Sequence, residues 1–162
     1  MADTLTERAV IQRGVNLVTD TTAETKSAVA DMSGFDEVTF VVELEDVDAA
    51  AVLTFTVKEN TANSTTSPTP TAVTLTDIPV NSVTGVITNG ALVLTESTAN
   101  LDQKTVIITV NHSVLTKRYC FLSITATVES YEVNSITIIK SRPKSLPVTQ
   151  GSNVVAAAQA AA

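Results

Sequence analysis

His112 is the only histidine in the chain, set in the stretch Asn-His-Ser. A serine-histidine-aspartate triad or a histidine-based metal cage would have to be assembled around this one imidazole, with no recognisable partner motif. An exposed loop histidine is the expected reading, and no enzyme is expected. Glu43, Glu45, Asp46 and Asp48 form the densest carboxylate group, and the Asp46-x-Asp48 spacing invites comparison with a calcium loop. The glycine and the closing glutamate of such a loop are missing, so a solvated acidic turn is expected and no metal. Cys120 is the only cysteine. It excludes an intramolecular disulfide, and its place in a strand pattern predicts a small apolar core residue with no neighbouring base to activate the thiol. The five glycines are scattered at 14, 34, 85, 90 and 151 and none opens a helix, so a phosphate-binding loop is not expected, nor any cofactor. Asn63 and Asn111 sit in Asn-x-Ser/Thr contexts that short polar stretches produce by chance.

Composition narrows the partners. The net charge of −7 disfavours phosphate backbones and anionic membrane surfaces, so no nucleic acid and no membrane are expected. Aromatic residues make up only 4% of the chain and tryptophan is absent, which argues against sugar platforms and base stacking, and no small-molecule substrate is expected. The first residues carry charges where a secretion signal needs an apolar run, so a cytosolic site of synthesis is expected. Basic residues gather at Lys140, Arg142 and Lys144, and either a solvated chain exit or an arm docking on acidic groups of a neighbour fits them.

The elements that would position these groups read as strands. Abundant valine, isoleucine and threonine suit a pleated surface. In Lys117 to Lys140, Cys120, Leu122, Ile124, Ala126 and Val128 alternate with polar residues, Phe121 excepted, and Ile136 and Ile138 alternate with Ser135 and Thr137 beyond a polar turn at Glu129 to Glu132. That pattern predicts a β-hairpin. Val38, Phe40, Val42 and Leu44 predict a second strand, and Leu53, Phe55 and Val57 a third, together a hairpin-like pair across an alanine-rich link. Ala9 to Thr19 predicts a strand bent or bulged at Gly14. Asn60 to Pro70 predicts a mobile polar loop, Asn89-Gly90 a type I′ turn inside a hairpin, and Lys104 to Asn111 a strand with Val106, Ile108 and Val110 on one face. Short strands with turn signals between them, and no convincing amphipathic helix, predict an all-β chain: an antiparallel β-sandwich or jelly-roll-like single domain over residues 8–141. An N-terminal arm over residues 1–7 and an extended C-terminal arm over 142–162 flank it. Prolines at 143 and 147 favour an extended exit, and VVAAAQAAA from Val154 is too short for a lone helix in water, so neighbouring subunits are expected to shelter it.

Two stretches carry a family resemblance. Residues 33–63, SGFDEVTFVVELEDVDAAAVLTFTVKENTAN, and residues 131–148, YEVNSITIIKSRPKSLPV, resemble small structural proteins of tailed-bacteriophage particles, with a VT-apolar-VVEL strand, an alanine-rich turn and an Arg-x-Pro exit. The resemblance implies a virion protein on the capsid surface, made in the bacterial cytoplasm, that decorates and stabilises the shell as a cement protein. Its implied partners are the major capsid protein and copies of itself, as a trimer or another homo-oligomer at a symmetry axis. Position and chemistry nominate Arg142, Pro143, Lys144, Leu146, Pro147, Val148, Val154 and Val155 as subunit contacts. The alternatives are a head-tail joining or tail protein, or a glycan- or host-surface-binding sandwich.

Overall fold

A computed structural model describes residues 9–76 and 85–143. They form an all-β sandwich of two antiparallel sheets. The first sheet runs in the order β1 (Ala9–Val15), β12 (Tyr131–Pro143), β5 (Phe35–Val47), β10 (Thr105–Asn111), with β2 (Val18–Thr21) also on β12. The second runs β3 (Thr25–Lys26), β11 (Tyr119–Thr127), β6 (Val52–Asn60), β9 (Ala91–Thr95), β8 (Val86–Thr88), with β4 (Ala30–Asp31) on β11 and β7 (Thr71–Ala72) on β6. Alternation puts Val38, Phe40, Val42, Ile136 and Ile138 of the first sheet against Leu53, Phe55, Val57, Leu122 and Ile124 of the second in one buried cluster.

The predicted core faces hold, Val128 apart, and so does the hairpin at Asn89-Gly90, but the two larger predicted pairings do not. β11 and β12 are consecutive yet belong to different sheets, as are β5 and β6, so neither pair is a hairpin. Alternation tells which face of a strand is dry; two dry faces can be joined side by side in one sheet or opposed across a core. The connections decide for opposition. Val128, predicted to point into the core, is 80% exposed with φ 81, and there the chain turns over between the sheets. The two crossovers are clipped together: Ser130 Oγ donates to Asp48 Oδ2 at 2.5 Å, and Asp48 N donates to Ser130 O at 3.2 Å. A four-residue helix, α1 (Glu96–Ala99), lies in the β9–β10 crossover, where Glu96 N donates to Ala51 O.

Local turn chemistry is followed closely. Asn89 (φ 51) and Gly90 (φ 79) form the tight turn between β8 and β9. At Gly14 the register of β1 on β12 shifts, and a Cβ there would lie 2.9 Å from Ile136 O, so the bulge needs glycine. The loop after Asn60, predicted to be mobile, is laced instead: Asn60 is buried, and its Nδ2 donates to Ser64 O at 2.8 Å and Pro68 O at 2.9 Å. The segments 1–7 and 142–162 that were assigned to arms lie outside the described residues, apart from Arg142 and Pro143.

Candidate subunit-contact site

The nominated contact residues begin where β12 ends. Arg142 and Pro143 close that strand rather than start a separate arm, because the ladder with β5 continues to Pro143 opposite Phe35. Arg142 has a left-handed backbone, φ 54. Its Nη1 lies 3.9 Å from Glu37 Oε2, and Ser141 Oγ donates to Glu37 Oε1 at 2.8 Å. With its side chain 69% exposed, Arg142 is only loosely committed to Glu37. Lys144, Leu146, Pro147, Val148, Val154 and Val155 lie outside the described residues.

The basic exit divides into unlike parts. Lys140 is half buried: its Nζ donates to Asp31 O at 3.2 Å and sits 4.7 Å from the centre of the Phe35 ring. Burial lowers its pKa, against the opposing pull of Asp31. Asp31 in turn accepts Arg118 Nε at 2.8 Å and Nη2 at 2.6 Å. That fork holds the Asp31 carboxyl below the usual carboxylate range and raises the Arg118 guanidinium. Lys140 and Arg118 are thus engaged within the chain, whereas Arg142 retains an exposed head.

The other chemistry-bearing residues are dispersed. His112 opens a short 3₁₀ turn (His112–Val114), half buried rather than exposed, and its carbonyl accepts Leu115 N. Glu43 is on the outer face of β5, accepting Ser135 Oγ at 2.7 Å. Asp48 is taken up by the Ser130 clip, and Asp46 borders a shallow hollow of about 260 Å³ with Asp20, Asp48 and Glu132. Among the described residues, no three histidine, cysteine or acidic side chains converge to hold a metal ion. Cys120 is buried in the core as predicted, and burial, with the charge of Glu59, pushes its thiol up to about 12.

Three groups carry more structure than their sequence context suggested. Tyr131, placed in a polar turn by the sequence pattern, is 1% exposed and opens β12. Its hydroxyl accepts Thr25 N at 3.2 Å and lies within donating reach of Thr25 Oγ1, Ala23 O and Ile124 O, so it bolts the first sheet to the second. Glu59, 5% exposed, accepts Thr116 N at 2.7 Å, Thr116 Oγ1 at 2.5 Å and Lys117 N at 3.1 Å. Burial alone would push it up, but those bonds hold it below its ordinary value. Glu24 accepts Lys58 Nζ at 2.7 Å and Ser123 Oγ at 2.5 Å and pairs with Lys26 at 3.1 Å. Its burial opposes the charge, yet these partners lower its pKa to about 2. Each joins residues far apart in the chain, and no local signal marks them.

No protein-family model matches the chain, and no curated protein matches it in sequence.

Proposed function

We propose that the protein is a structural component of a bacteriophage particle that decorates and stabilises the capsid by bridging its subunits. The observation that carries the reading is the root of the C-terminal segment. β12 is an interior strand, hydrogen-bonded to β1 and β2 on one side and to β5 on the other, and the last described residue, Pro143, is still in the ladder. A tensile load on the segment that follows would act along β12, so the ladder bonds would share it in shear rather than open one by one. Such an anchor suits a contact protein that holds the subunits of a pressurised shell together. The stretches that resemble phage structural proteins fall on the same spine: residues 33–63 span β5 and β6, and 131–148 begin with β12.

In this reading the apolar residues after Pro143, Val154 and Val155 foremost, bury against the major capsid protein or another copy, and Arg142 offers its exposed head to an acidic group there. The test is binding of full-length protein to capsids of the cognate phage, read by co-sedimentation and by imaging of the particles. Wild type is expected across the shell. Val154→Asp combined with Val155→Asp should weaken binding by about tenfold or more while leaving thermal unfolding unchanged. Undiminished binding of that variant would refute the anchoring role, and a single ring of copies at one vertex would reassign the protein to the head-tail junction.

A further inference from the structure

Edge strands in the two sheets are treated unequally. On the second sheet, β3, β4 and β7 have two residues each and β8 has three, too short to template another chain. On the first sheet, β1 carries the Gly14 bulge and Arg13, and its outer side is covered: Ala28 N donates to Gly14 O at 2.7 Å and Gln12 Nε2 to Val29 O at 3.1 Å. β10 has none of these devices. Its seven residues, TVIITVN, hold no charge, proline or glycine, its register on β5 is unbroken, and among the described residues it pairs with β5 alone.

The direction of its free backbone groups follows from one bond. Leu44 N donates to Lys104 O at 2.9 Å, so residue 104 bonds towards β5. By the alternation of an antiparallel ladder, 106, 108 and 110 do the same, and the N–H and C=O groups of Thr105, Ile107, Thr109 and Asn111 point away from the sheet. The side chains of those four residues are exposed, Ile107 by 61%.

We infer that β10 is a homotypic docking edge, on which a second copy of this chain adds its own β10 antiparallel about a twofold axis at Ile108. That register uses the whole strand. It sets Val106 against Val110, Ile107 against Thr109 and Thr105 against Asn111, each from opposite copies, and brings the outward backbone groups of 105, 107, 109 and 111 into hydrogen-bonded pairs. β-Branched residues then face one another across the junction on both faces.

Charge favours the same edge in a chain of net charge −7. The acidic residues paired with β10 are Glu43, beside Thr105, and Glu37, beside Asn111. Both lean away from the edge: Glu43 accepts Ser135 Oγ and Glu37 accepts Ser141 Oγ, each serine lying on β12. Across the twofold, Glu43 and the second copy's Glu37 would stand three strand spacings apart, about 14 Å, beyond a Debye length of about 8 Å at physiological salt. A neutral strand between screened carboxylates suits association of an acidic protein with itself. The contact is one strand wide, so the dimer is expected to be concentration-dependent in solution. This pairing belongs to the isolated protein and does not depend on the virion reading.

Sedimentation equilibrium of the full-length protein, from the micromolar to the submillimolar range, tests it. Wild type is expected to pass from monomer to dimer. Thr109→Pro removes an outward N–H and the hydroxyl contact to Thr39 but no backbone bond to β5, and Ile107→Lys places a charge on the outer edge; each should weaken association by about tenfold or more while circular dichroism stays unchanged. Val86→Lys, at an equally exposed valine on β8, should associate like wild type. In wild type, amide exchange at Thr105, Ile107 and Thr109 should slow as concentration rises, while that at Val106 and Ile108 is slow throughout. A monomer at every concentration, a trimer, a dimer indifferent to Ile107→Lys, or unchanged exchange at 107 and 109 would each overturn the inference.

Discussion

On the outer face of the second sheet, Glu24 binds Lys26, Lys58 and Ser123, and at the end of β6 Glu59 is filled by the backbone of Thr116 and Lys117. On the outer face of the first sheet, the rows across β10, β5 and β12 read Thr109, Thr39, Ile139 and Ile107, Val41, Thr137, with Glu43 and Glu37 confined to the flanking rows. Within the central rows the hydroxyls of Thr39 and Thr109 join at 3.0 Å. One face spends its polar groups on the chain itself. The other presents β-branched surface up to an edge that is open among the described residues, where an added strand would find packing and backbone partners together. Substitutions on the second sheet should therefore change folding, and substitutions at the first sheet's edge should change association.

The largest effect is expected at Glu59. Glu59→Ala leaves the backbone N–H groups of Thr116 and Lys117 without their acceptor, at a cost of about 2–4 kcal/mol in urea unfolding. A loss within error would show that the β10–β11 connection does not depend on this carboxylate. Tyr131→Phe keeps the ring but removes the hydroxyl that bridges the sheets, and should cost about 1–2 kcal/mol by the same measurement.

Acid titration sharpens the comparison. Glu24 is depressed in the folded protein, from an ordinary 4.5 to about 2, so its contribution is complete above pH 4.5 and fades as pH falls towards 2. Because the site is open to solvent, on the order of 1 kcal/mol is at stake. Glu24→Gln should flatten the stability curve of wild type over that interval while leaving its slope elsewhere alone. The smallest effect on folding belongs to Ile107→Lys, within about 0.5 kcal/mol of wild type. A larger destabilisation would mean that the β10 edge is already engaged inside the monomer.

Much of this architecture is legible in the residues alone. Period-two alternation marks the dry faces of β5, β6, β10 and β12, because a strand with one buried face must place apolar side chains at every second position, whereas β11 is buried on both faces from Cys120 to Ile124. Asn89-Gly90 and Gly14 announce a turn and a bulge because their backbones need conformations that few other residues adopt. The buried thiol of Cys120 follows from its parity in β11. Of the nominated contact residues, Arg142 and Pro143 are found in β12 rather than beyond it, since nothing in a proline-bearing segment tells how far a neighbouring strand will keep pairing with it.

Which sheet each strand joins was decided only by the tertiary structure. Alternation is blind to whether two dry faces lie abreast or opposed, and the choice rests on the turned-over backbone at Val128 and the Asp48–Ser130 clip. Glu59 reaches Thr116, and Tyr131 reaches Thr25, across separations in sequence that leave no periodic trace. The edge position of β10 belongs to the same class: its composition is written in the chain, but that it pairs with β5 alone among the described residues emerges only once the other strands have taken their places.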